Sequence, residues 1–166
     1  MKMVIGIDPG MDGAIFFDSE HKAAWSMPTF EVLRNKKKKR EIDIAGLVNL
    51  LAVKTTVDAV AYVEQVGAMP GQGVTSMFTF GKGYGILLGV LGGLYIPVVH
   101  VSPVTWKKAL AVRGGKEAAM LRASELMPHY STLWAPKKGE ITKGQAIGLA
   151  DAALIAYDGR QLEGAK

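Results

Sequence analysis

Two short apolar runs limit what this chain can fold into. Met3 to Asp8 is β-rich and stops at Pro9-Gly10, a strong turn signal. Val57 to Val66 carries a single early acid, Asp58, before Glu64 near its end. A strand that offers no polar face must be covered on both sides, so the second run reads as a buried central strand. A sheet buried in this way needs helices over it.

The rest of the chain supplies them. Gly13 to Asp18 and Lys22 to Met27 read as further strands, giving an antiparallel meander at the start. Asp43 is a plausible N-cap for a helix with Ile44, Leu47, Val48 and Leu51 on one face. A glycine-rich loop, Gly67 to Gly73, precedes a long helical segment from Val74 to Leu94. In that segment Gly81, Gly85, Gly89 and Gly93 recur every four residues, and each glycine costs a helix about 1 kcal/mol relative to alanine. Close approach of another backbone, through the sheet or from a partner subunit, is the expected compensation. Ile96 to Val101 is a buried strand, and Ser102-Pro103 caps and opens a helix through Leu110. Helices over Lys116 to Met127 and Gly144 to Tyr157 complete the order, separated by a polar loop with Lys137 and Lys138. Strands first as a meander, then alternating with helices, predict an α/β fold with a mixed sheet.

With 166 residues, 49% of them hydrophobic, the chain suits one domain spanning 1–166. There is no cysteine, which excludes disulfides and thiolate metal sites. The longest uncharged stretch, Gly83 to Val101, is broken by glycines, Pro97 and His100, so no membrane span is expected. An acid at position 8 and no small-residue cleavage site argue against a signal peptide, and a cytoplasmic protein is the default. The net charge of +5 is concentrated: Lys36, Lys37, Lys38, Lys39 and Arg40 are consecutive, with Arg34 just before them. This run is expected to form a loop, either simply solvated or facing a polyanion. Smaller groups are Lys107 with Lys108, and Arg113 with Lys116.

Three acids stand where the pattern favours apolar residues. Asp8 follows Val4, Ile5 and Ile7; Glu64 follows Tyr62 and Val63; Asp151 has Ile147, Gly148, Leu154 and Ile155 as its helical neighbours. Singly each has an ordinary explanation: a turn residue, a solvated strand end, an acid paired with a lysine. Together they place carboxylates at two strand ends and on one inward helix face, and buried carboxylates persist only with a cation or hydrogen bonds. With no cysteine, and with His21, His100 and His129 scattered, ligation by oxygen alone favours Mg²⁺ or Mn²⁺ over zinc.

The segment Ile5-Gly6-Ile7-Asp8-Pro9-Gly10 resembles the opening strand of RuvC-type Holliday junction resolvases. Tyr62-Val63-Glu64-Gln65-Val66 is similar to that family's second acidic motif, and Leu149-Ala150-Asp151-Ala152-Ala153-Leu154 to its C-terminal helix. Phe80-Gly81-Lys82-Gly83-Tyr84-Gly85 looks like its glycine-bearing helix. The resemblance covers nearly the whole chain. It implies an RNase H-like five-stranded mixed sheet flanked by helices, a homodimer, and an endonuclease that resolves four-way DNA junctions by paired nicks. It further implies two divalent ions about 3.5–4 Å apart held by Asp8, Glu64 and Asp151, with Asp8 bridging. Lys107 matches a basic residue beside the scissile phosphate, and Lys116 aligns with a second. Arg34, Lys36 to Arg40, Lys82, Lys108 and Arg113 are then candidate DNA contacts.

The match has departures. The family's fourth acid or histidine, one turn before the last aspartate, is here Gly148, with Asp12 the first candidate to replace it and Asp158 too far along the helix, about 10 Å away. The aromatic wedge expected after Glu-Gln-Val is here Gly67, leaving Met69, Met77 or Phe78 for that role. A short, basic resolvase of this kind suggests a phage-encoded version. The competing readings are a catalytically dead RNase H-like module that binds branched DNA, and an actin-like nucleotide-binding domain, suggested by Gly6-Ile7-Asp8 and Gly10. The latter requires a second domain that this length does not accommodate.

Overall fold

A computed structural model describes residues 2–20, 22–34, 36–54, 58–67, 71 and 73–165; Met69 lies outside them. Three strands open the chain, β1 (Met3–Asp8), β2 (Ala14–Asp18) and β3 (Ala23–Ser26), paired as the expected antiparallel meander. A separate hairpin follows, β4 (Thr29–Arg34) and β5 (Lys37–Ile42), and then helix α1 (Ile44–Lys54). Strand β6 (Ala59–Glu64) pairs parallel with β1. Helix α2 (Val74–Gly93) leads to β7 (Val98–Val101), which pairs parallel with β6. The chain closes with α3 (Pro103–Ala109), α4 (Ala118–Leu126), a 3₁₀ turn over Pro128–Trp134 and α5 (Lys143–Gly164). The strand order is β3-β2-β1-β6-β7, a five-stranded mixed sheet with helices on both faces.

Alternation along the strands divides the core. Val4 of β1, Phe16 of β2 and Val60 and Tyr62 of β6 pack with α5 and with Trp106 and Trp134. Ile5 and Ile7, Ile15, Ala61 and Val63 point the other way, onto Leu47 and Leu51 of α1 and Leu87 and Leu91 of α2. Most of these side chains are fully buried, and this double-sided core explains why β1 and β6 read as unbroken apolar runs.

Helix α5 is fixed over the sheet at both ends. A reciprocal capping box joins Thr142 and Gln145 at its start. Near its end the Arg160 guanidinium donates to Asp18 Oδ2 at 2.9 Å and to the Lys2 carbonyl at 2.7 Å, and the Tyr62 hydroxyl donates to Glu163 at 2.7 Å. These last contacts lie beyond Tyr157, where the apolar pattern suggested the helix would stop.

The basic run departs from expectation. Lys37–Ile42 is a strand, not a loop, with Arg34 opposite Lys37 and Phe30 opposite Glu41. Lysines carry no apolar alternation to announce a strand. The ladder comes instead from β4, whose Thr29, Phe30 and Val32 favour extended backbone, with Lys36 turning the chain at φ 60°. The glycines of α2 also differ from one half of their expected role. A Cβ at Gly81, Gly85, Gly89 or Gly93 would meet nothing within 4 Å, so nothing in the sheet approaches that helix face. By length and composition α2 would suffice to cross a bilayer, yet Leu87 and Leu91 are buried in the protein's own core.

Candidate active site

The pairing register brings the acids together. Gly6 lies beside Tyr62 and Ile7 beside Val63 in the parallel β1–β6 pair, so the next step places Asp8 alongside Glu64. Both acids share the strand face covered by α5, since Gly6 and Tyr62, two residues earlier on each strand, face that helix. A Cβ at Gly6 would lie 2.1 Å from the Ala152 carbonyl oxygen, so α5 sits directly on the β1 backbone. Only glycine permits that contact, and it sets Asp151, adjacent to Ala152, over the strand ends that carry Asp8 and Glu64.

Their environments differ. Asp8 Oδ1 accepts from the Gly10 amide at 3.2 Å. Burial pushes its carboxyl up to about 6; the Gly10 amide opposes this, the Glu64 charge adds to it, and Lys107 lowers it again. Burial, then the charge of Asp8, lifts Asp151 to about 7, against the pull of Lys107. Asp151 Oδ1 is buried and has no hydrogen-bond partner among the described residues. Glu64 Oε2 accepts from the indole Nε1 of Trp106 at 2.9 Å, and the Lys107 ammonium lies 5.0 Å from the Trp106 ring centroid. Among the described residues no group of three or more acidic or histidine side chains stands close enough together to hold a metal ion without some adjustment of its side chains.

The structure brings Lys107 into the field of the acids but leaves Lys116 exposed and outside it. Asp12 is felt by Asp8, but its carboxylate pairs with Arg40 and lies against Gly144, two helical turns before Asp151. Asp158 is buried further along α5, where its charge acts on Tyr62. At Gly148 a Cβ would fall 2.2 Å from the Asp12 carbonyl oxygen and 2.8 Å from the Gly13 Cα. The turn after β1 thus fills the place where the resemblance calls for a fourth side chain.

A cavity of about 670 Å³ opens beside the acids, bordered by Asp8, Asp12, Arg40, Thr75, Phe80 and Gly148. The β4–β5 ribbon borders it through Lys39 and Arg40, and the start of α2 stands on another side. Lys82 reaches back to Glu41, while Phe78 is 73% exposed and Met77 half-buried at the start of α2. Lys108 and Arg113 are exposed around the end of α3. Sequence reasoning passed over Trp106. Its position directly before Lys107 was the available signal, since adjacent helix residues diverge and one of the pair had to face inward.

No family model and no curated protein matches the sequence. Solved structures do match. Thermus thermophilus RuvC in complex with a Holliday junction substrate aligns over 97% of this chain and 96% of its own, with TM-score 0.59 and 18% identity. A second structure of that RuvC gives TM-score 0.56 and 18% identity, each chain being covered over 96%. The yeast mitochondrial Holliday junction resolvase gives TM-score 0.51 and 15% identity, over 93% of this chain and 76% of its own. The strand order, the two helix layers and the alignment over nearly the full length together give this chain the RNase H-like fold of the RuvC-type Holliday junction resolvases.

Proposed function

We propose that this chain, as one domain, is a divalent-metal-dependent endonuclease that cuts branched DNA, four-way junctions in particular, by paired nicks. One observation carries the proposal. Three carboxylates from distant parts of the sequence gather at one end of the sheet, and one of them presents a buried, unpartnered oxygen, Asp151 Oδ1. A carboxylate left in that state needs a proton or a cation. The donors are all hard oxygens, which suits Mg²⁺ or Mn²⁺ held by Asp8, Glu64 and Asp151. Bound there, such ions would activate water and neutralise charge on a phosphate.

The chain's own residues supply the rest. Lys107, seated on the Trp106 ring, holds a fixed positive charge at the edge of the cluster, where charge develops on phosphate oxygens. Trp106 keeps one Glu64 oxygen in place, leaving the other for a ligand. Lys39 and Arg40 border the cavity, and together with Lys36 to Lys38, Arg34, Lys82, Lys108 and Arg113 elsewhere on the chain they suit the DNA backbone. That a neighbour of the same fold was solved on a Holliday junction supports a branched substrate here.

Asp8→Asn is expected to abolish Mg²⁺- or Mn²⁺-dependent nicking of a synthetic four-way junction while junction binding persists. A variant that cuts at the wild-type rate would sink the metal-site reading. The absence of any side chain at Gly148 favours a second reading, a DNA-binding module without catalysis. The same assay decides it, because wild-type protein would then bind the junction and never nick it.

A further inference from the structure

We propose that the β4–β5 ribbon is a duplex-reading arm that lies in the major groove of one DNA arm of the substrate, an inference that rests on the branched-DNA reading above. The hairpin forms a two-stranded sheet of its own, paired among the described residues with no strand of the main sheet. Most of its side chains are exposed, including Leu33 at 74%. Its strands have six residues each, about 20 Å at 3.3 Å per residue. A two-stranded ribbon is one of the two protein elements that the major groove of B-DNA, about 12 Å wide, admits.

The charges fit the same partner. Lys38 pairs with Glu31, and Glu41 binds both Arg34 and Lys82, so the acids of the ribbon are already engaged. Lys36, Lys37 and Lys39 form no ion pair among the described residues and stand exposed at and beside the tip. Cations of this kind suit a groove walled by phosphates, with Val32, paired to Lys39 on the same face of the ribbon, toward the base edges. The base of the ribbon is tied down next to the acids, Arg40 to Asp12 in the turn after β1 and Glu41 to Lys82 on α2. A duplex arm seated on the ribbon therefore starts beside the cavity that Asp8 borders.

The test compares wild-type protein with a Lys36→Gln/Lys37→Gln/Lys39→Gln variant, whose fold is checked by circular dichroism. In EDTA, both are bound to a four-way junction and guanine N7, which faces the major groove, is probed with dimethyl sulfate. Wild type is expected to protect guanines in the arms within about one helical turn of the crossover. The variant is expected to lose that protection, and the slope of its log affinity against log salt should fall by about 2 to 3. Absent protection by wild type, or protection retained by the variant, would overturn the proposal. So would a variant that loses affinity only for single-stranded DNA, which would place an unpaired strand on the ribbon. Nicking is scored separately: a wild type that protects the arms without cutting them refutes the nuclease reading and supports the ribbon.

Discussion

Trp106 ties the acids to the cation beside them. Its indole edge binds Glu64 and its face seats Lys107, while the ring itself is fully buried. Trp106→Phe keeps most of the packing and removes the N–H. We expect Mn²⁺ affinity, read by titration, to fall about 10-fold or more, as for other groups that orient metal ligands. Unchanged affinity in a folded variant would reduce Trp106 to packing. Asp8 and Asp151 make a second prediction, concerning stability without metal. Both carboxyls hold a proton more tightly in the folded chain than at their ordinary value of 3.8. The stability this confers is present below about pH 4 and is lost as pH rises through about 6 to 7. Asp151→Asn escapes that loss, so in EDTA its Tm should rise relative to wild type by several degrees between pH 5 and pH 8. A difference that stays constant with pH would contradict the burial of Asp151.

At the scale of elements, two close contacts decide the site. Helix α5 rests on Gly6, and the turn between β1 and β2 rests on Gly148. The second contact yields a prediction that runs against simple restoration of the resolvase pattern. Gly148→Asp would supply the acid that the resemblance expects, but its Cβ has main-chain atoms at 2.2 Å and 2.8 Å. Backbone cannot yield as a flexible side chain can, so we expect a loss of about 3 kcal/mol or more in urea unfolding, and no gain in nicking. A variant as stable as wild type and faster would show that the turn moves aside. The ribbon illustrates the opposite case, an element with few packing contacts whose form comes from pairing rather than burial. Lys37 to Ile42 is a strand because Thr29 to Arg34 lies beside it, and no property of the lysines required that.

At the scale of the whole molecule, assembly turns on α2. One side of the helix enters the core through Leu87 and Leu91, and the other presents glycines with open space above them. We propose a two-fold homodimer built on that face, which suits paired nicks in opposed strands. A Cβ at Gly89 meets nothing within 4 Å, so Gly89→Glu should leave the monomer folded while the dimer dissociates in sedimentation velocity. A wild type that sediments as a monomer at all concentrations would remove the proposal.

The sequence by itself determined the central strands, the two-sided core and the acids that interrupt it. Those features depend on local pattern, on where apolar runs stop and what stops them, and a carboxylate after Val4, Ile5 and Ile7 is visible without coordinates. The same local logic found the helices and the cap at Asp43, but it missed the Thr142–Gln145 capping box and the end of α5. The contacts that continue that helix, Arg160 to Asp18 and Glu163 to Tyr62, join residues more than 100 positions apart. Long-range pairing likewise decided the ribbon, the inward Trp106 and the glycine at 148. Register and close approach bring Asp8, Glu64 and Asp151 to one place, and both depend on how distant segments stack. A spacing along the chain cannot encode a carbonyl from a distant turn pressed against a helix, and that contact is what leaves no room for a side chain at position 148.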